Sequence, residues 1–157
     1  MSHDTHHHQK ESFITKYIFS QDHKMIARQY LLTAIFMGAL GIALSALFRL
    51  KLGWPDDKFP ILESILGSDA APDGLLDSNW YLGLVTLHGT IMVFFVLTGG
   101  LSGTFSNLLI PLQIGARDMA SGLMNMISYW LFFLSSVLMA ASLFIETGPA
   151  MAGWTVY

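Results

Sequence analysis

His88 stands inside Trp80 to Leu112, a run without Asp, Glu, Lys or Arg that is sized and composed to cross a bilayer. An ionisable side chain is expensive there and by default marks a ligand, a relay or a buried partner. In T-L-H-G-T-I-M-V-F-F, Thr86 to Phe95, Gly89 flanks the imidazole and leaves room for a flat cofactor to approach the backbone, and haem fits that description. The competing reading is a structural histidine bonded to a neighbouring helix; on the isolated residue the two stand level. Asp118 beside Arg117 reads by itself as a solvated loop ion pair worth about 0–1 kcal/mol. Asn107 and Asn125 alone are interhelical glue, and Arg49 alone is an interfacial charge at a span's edge.

These residues need apolar helices to carry them, and composition supplies them. Of 157 residues 53% are hydrophobic and 12% charged, with 11 Phe and 9 Met, too apolar for an ordinary soluble domain. The absence of cysteine excludes disulfides, thiolate metal sites and iron–sulfur clusters, and a net charge of -3 offers no basic face to nucleic acid. The expected fold is all-α, a polytopic transmembrane helical bundle. Its organisation reads as a polar tail with a short interfacial helix over 1–29, spans over 30–50, 80–112 and 119–146, and an acidic loop over 51–79. A turn over 113–118 and the start of another loop over 147–157 complete it. Phe13, Ile14, Tyr17 and Ile18 recur at helical spacing beside Lys16, which suits a helix lying on a membrane surface, and the polar start is not a signal peptide. The second span would reach about 50 Å against a hydrocarbon core of about 30 Å. It is expected to tilt, protrude or break near Gly99-Gly100, and to end near Pro111.

Lys10, Lys16, Lys24 and Arg28 precede the first span and Arg117 lies between the second and third, which places the amino terminus and the Arg117 turn in the cytoplasm. Arg49, Lys51 and Lys58 oppose that assignment in smaller number. His88 then lies about 12 Å deep from the outer surface. A haem held between two imidazoles needs a second histidine facing the first, and His3, His6, His7, His8 and His23 all precede the first span, on the opposite face. The trans ligand is therefore expected on a helix outside these residues.

Five motifs follow in order: F-S-Q-D-H-K from Phe19, L-F-R-L-K-L-G from Leu47, T-L-H-G-T-I-M-V-F-F from Thr86, N-L-L-I-P-L-Q-I-G-A-R-D-M-A from Asn107 and G-W-T-V-Y from Gly153. Together they resemble the first three helices of subunit I of the haem–copper terminal oxidases, cytochrome c oxidase type. The resemblance implies that His88 is an axial ligand of a low-spin haem, type a, with Arg49 hydrogen-bonding the haem's formyl group and Tyr81 a turn or two before the ligand. It implies that Asp118 opens a proton-uptake path whose lower part is lined by Asn107 and Asn125. The complete subunit would pass electrons from cytochrome c to a high-spin haem and copper that reduce O₂ to water, pumping protons outward. Their ligands are absent from this chain. Implied partners are the rest of subunit I, other oxidase subunits including the one that docks cytochrome c, cytochrome c itself and membrane lipid. The implied location is the bacterial inner (plasma) membrane.

Two departures from the family pattern stand out. After D-M-A the family continues F-P-R, where this chain has Ser121-Gly122-Leu123, and Lys51 replaces an acidic residue that holds a peripheral cation in some members. The alternatives are a quinol oxidase of the same superfamily, a two-histidine cytochrome b-like carrier, and a non-enzymatic three-helix packing module, which would show no haem absorbance. Because the only histidine at membrane depth is claimed by the low-spin haem, these 157 residues expressed alone should insert as three helices and consume no oxygen with reduced cytochrome c. An oxygen-electrode rate above the membrane background, with haem and copper supplied, would overturn that expectation.

Overall fold

The computed structural model describes residues 12–145 and 148–151. The histidine-rich tail, with His3, His6, His7 and His8, and the motif from Gly153 to Tyr157 lie outside the described residues. All regular structure among those described is helical, and three helices are long and apolar enough to cross a membrane.

Helix α1, His23–Gly53, begins two turns before the apolar run from Tyr30. Asp22 starts it by accepting from the Lys24 amide at 3.0 Å, so the end of the segment read as tail is wound into the first helix. Trp54-Pro55 follows its last residue, and a residue before proline is pushed out of the helical region. Ahead of α1, the apolar positions at Phe13 to Ile18 form a single π-type turn, Ile14–Ile18. Gln29 reaches back from α1 and donates to the carbonyls of Tyr17 and Ile18 at 2.8 and 3.0 Å.

The acidic loop is ordered. It carries α2, Pro60–Leu66, with proline at its first position, and drops Leu62, Ala71 and Leu76 into the core shared by α1 and the second span. Asp77 then caps α3, Ser78–Thr90, by accepting from the amides of Asn79 and Trp80.

The second span is continuous from Ser78 to Ile114, 37 residues without a break. Rather than interrupting it, Gly99 and Gly100 lie in a twelve-residue π-helical segment, Ile91–Ser102, that leads into α4, Gly103–Ile114. Wider turns of this kind keep the backbone hydrogen-bonded, which lipid demands, while changing the phase of every side chain that follows. Three residues follow Pro111 before Gly115 closes the helix at a φ of 69°, and the proline's missing amide leaves one intrahelical bond unmade. The third span is α5, Gly122–Ala141, capped by Ser121 and extended by a 3₁₀ turn, Ser142–Phe144.

Helix α1 is the centre of the arrangement and contacts α3, the π segment, α4 and α5. Met37, Leu44 and Phe48 pack on Leu84, Leu87, Ile91 and Phe95 of the second span. Nearer its beginning, Ile26 and Tyr30 pack on Tyr129, where Tyr30 and Tyr129 meet edge to face with centroids 5.3 Å apart. Such a ring pair contributes about 0.5–1.5 kcal/mol, comparable with the interhelical hydrogen bonds beside it, Tyr30 to Ser128 and Thr33 to Tyr129, both 3.2 Å. Large apolar residues such as Leu32, Phe36, Leu131 and Leu138 remain exposed, as lipid or neighbouring helices require.

Close approach of α1 to the π segment rests on Gly100, where a Cβ would overlap the Ala34 methyl group. Gly100→Val should therefore separate the two helices and destabilise the purified protein by about 1–3 kcal/mol in denaturant titration. Gly53→Ala, at a helical position with nothing within 4 Å, should cause no loss of stability in the same titration. Equal midpoints for the two variants would show that the contact carries no packing energy.

Candidate functional site: a half-buried histidine and a polar end

Two groups of chemically competent residues lie at opposite ends of the bundle. The first is centred on His88, ten residues into α3 and about 15 Å along its axis. Leu84, Leu87 and Ile91 on the flanking turns are buried, which leaves the imidazole half-buried and held by one directional bond. Its Nδ1 lies 2.8 Å from the Gly41 carbonyl of α1. A carbonyl only accepts, so Nδ1 carries a proton, and in the neutral ring this is the tautomer that leaves Nε2 its lone pair for a metal. Phe48, two turns beyond Gly41, meets the imidazole edge to face at 5.7 Å, and Tyr81 meets Phe48 at 6.0 Å. A Cβ built on the next residue, Gly89, finds nothing within 4 Å, so the helix surface beside His88 is free of packed neighbours at that position. A half-exposed ring held through Nδ1 fits the donor chemistry of a metal ligand.

Arg49 follows Phe48, exposed, about 12 Å along α1 from Gly41. Among the described residues it makes no hydrogen bond to His88 or Tyr81, so the structure joins Tyr81 to His88 through Phe48 and leaves Arg49 at the margin of the group. Lys51 is turned away and donates to the Pro55 carbonyl at 3.1 Å.

The second group gathers where α1 and α5 begin and α4 ends. Asp118, in the turn between α4 and α5, directs its Oδ1 at three donors: the Met119 amide at 2.8 Å, the His23 amide at 3.3 Å and His23 Nδ1 at 3.1 Å. Partial burial by itself would raise the Asp118 pKa, but the bonds from Met119 and His23 outweigh it and hold the carboxyl below the usual carboxylate range. Arg117, its sequence neighbour, is not in ion-pair contact with it among the described residues. The partner is His23, from a helix ninety-five positions earlier.

Asn107 and Asn125 are brought together. Asn107 donates to the Gly103 carbonyl at 2.7 Å and is buried, and its Oδ1 accepts from Asn125 Nδ2 in the first turn of α5. Asn107 lies seven residues before the end of the second span and Asn125 four residues into the third. The Ser121-Gly122-Leu123 departure also acquires a local reason: a Cβ on Gly122 would stand 2.9 Å from the Gln21 Cβ and carbonyl, so the amino-terminal segment occupies that space. Phe19 stacks on Trp130 of α5 at 5.3 Å and anchors the same segment.

Sequence reasoning named His88, Asp118, Asn107 and Asn125 and missed His23 and the Gly41 carbonyl. A signal for His23 was present, since a histidine directly after a helix-capping aspartate lies on the same face of the predicted topology as Asp118. The Gly41 carbonyl had none, because every residue carries one. Asp22, His23 and Asp118 offer ligand atoms within 4.8 Å of one another, but His23 Nδ1 is already bonded to Asp118, and the group reads as a hydrogen-bonded cluster.

Residues 25–157 match the family profile described as Cytochrome C and Quinol oxidase polypeptide I. The alternative cytochrome c oxidase subunit 1 of Bradyrhizobium diazoefficiens is 43% identical over 146 residues, covering 93% of this chain and 22% of that protein. The cytochrome c oxidase subunit 1 of Cereibacter sphaeroides is 32% identical over 169 residues, covering 97% and 30%. A probable quinol oxidase subunit 1 of Staphylococcus aureus is 37% identical over 147 residues, covering 90% and 20%. The chain thus spans less than a third of the length of these relatives. With a profile match across three apolar helices and most of the sequence, the chain belongs to subunit I of the haem–copper oxidases, the cytochrome c and quinol oxidase polypeptide I family.

Proposed function

We propose that this chain forms the amino-terminal part of the oxygen-reducing subunit of a bacterial respiratory oxidase, in which His88 ligates a low-spin haem a and Asp118 admits protons. The observation that carries this reading is the His88 Nδ1 bond to the Gly41 carbonyl, which in the neutral ring leaves Nε2 with its lone pair on a half-exposed imidazole. A bound haem supplies a one-electron redox centre there. The residues of this chain orient and tune it: Gly41 fixes the imidazole's tautomer, Phe48 limits its rotation, Tyr81 backs Phe48, and Arg49 offers a planar, permanently charged donor to the macrocycle's edge.

At the other end, the Asp118 carboxylate, ionised at neutral pH, takes protons from the cytoplasm. The Asn125–Asn107 pair provides polar lining at the start of the inward route. The amino terminus is cytoplasmic in this reading, as the basic residues before α1 favour. Cytochrome c is the electron donor, in keeping with the name of the Bradyrhizobium relative; the Staphylococcus relatives support the quinol alternative. The whole enzyme adds a high-spin haem, copper, the rest of subunit I and the subunit that docks cytochrome c.

The test is a pair of variants in the assembled oxidase. His88→Ala should abolish the low-spin band of the reduced-minus-oxidised spectrum and halt oxygen consumption, since one axial bond is lost and this chain's other histidines all precede the first span. Asp118→Asn should leave the band intact and slow turnover by about 10²-fold or more. A full low-spin band in the His88 variant would sink the ligand assignment. Faster oxidation of a quinol than of cytochrome c by the unaltered enzyme would decide for the second donor.

A further inference from the structure

All three donors to Asp118 converge on Oδ1, and two of them belong to His23. Oδ2 accepts from none of the described residues. The carboxylate borders a cavity of about 310 Å³ bounded by Thr15, Ser20, Gln21 and Asp22. One oxygen is therefore clamped and the other left to the polar basin. His23 itself is 2% exposed, so its ring is enclosed and has little freedom to turn. Its Nε2 has no partner among the described residues, and Nδ1 makes the ring's one directional side-chain contact.

We infer that His23 is a positioning residue for proton uptake: by donating from Nδ1 and from its own amide it locks Asp118 in the rotamer that turns Oδ2 to the basin. The inference rests on the proposed role of Asp118 and adds the residue that makes that carboxylate productive. Correct placement matters because a displacement of about 1 Å can cost up to 10²-fold in rate. The charged groups around the ring are Asp22, whose Oδ1 is 3.6 Å from Nδ1, and Asp118. The start of α5, Ser121 to Asn125, brings no titratable side chain.

His and Asn both carry a donor nitrogen directly on Cγ, so His23→Asn keeps a donor where Nδ1 stands and removes the ring, whereas His23→Ala removes both. In the assembled oxidase, His23→Ala should leave the low-spin haem band unchanged and slow turnover roughly tenfold. It should also move the acid limb of the pH–turnover profile upward, because a bond that holds the carboxyl ionised is lost. His23→Asn should restore both rate and profile. Wild-type kinetics in His23→Ala would overturn the inference, as would a His23→Asn variant as slow as His23→Ala, which would assign the role to the imidazole ring itself. An infrared pH titration of the carboxylate, assigned by its loss in Asp118→Asn, separates the two levels. If it shifts upward in His23→Ala while Asp118→Asn turns over normally, the positioning stands and the proton-mouth reading fails. An unshifted carboxylate in His23→Ala refutes the positioning directly.

Discussion

The hydrogen bond from His88 to the Gly41 carbonyl joins the two longest helices at the depth where an unpaired polar group is least tolerated. A backbone carbonyl in a helix already accepts from the amide four residues on, and its second lone pair is free to take the imidazole. That bond ties α1 to α3 and selects the tautomer of the neutral ring. The apolar interface on either side, Leu44 and Phe48 against Leu84, Leu87 and Ile91, keeps water from competing for it.

At the opposite end, the constraint is charge rather than depth. Asp118 is in a short turn, Asp22 caps α1, and both carboxylates face the same imidazole. The amino-terminal segment crosses this end, held by Gln29 at the Tyr17 and Ile18 carbonyls, by Phe19 on Trp130 and by Gln21 on Gly122. Here the departure from the family's F-P-R pattern has structural content. Removing a side chain at 122 lets Gln21 approach the start of α5, and Ser121 caps that helix in its place.

Helix identity was written in composition and period. Three apolar runs of spanning length, bounded by Asp22, Asp77 and Ser121 as caps, become helices because lipid leaves the backbone no other way to satisfy its amides and carbonyls. The span expected to tilt, protrude or break near Gly99-Gly100 carries that pair within a π segment of one continuous helix, which ends three residues after Pro111, because hydrogen-bonded continuity outweighs the local preference of a glycine.

From the sequence alone, the chemistry of the site residues was legible: an imidazole at bilayer depth, a carboxylate in a polar turn, two amides near span ends. Each residue type restricts what it can do, and position along an apolar run restricts where it sits. Which groups meet was decided only by tertiary structure. The π segment rephases Asn107 relative to His88, so no fixed helical angle computed from a separation of nineteen positions would have set it against Asn125. The Gly41 carbonyl and the reach of His23 to Asp118 depend on how α1 packs against four other elements. Those are contacts between residues 47 and 95 positions apart, which local sequence cannot encode because packing, rather than spacing, selects the partner.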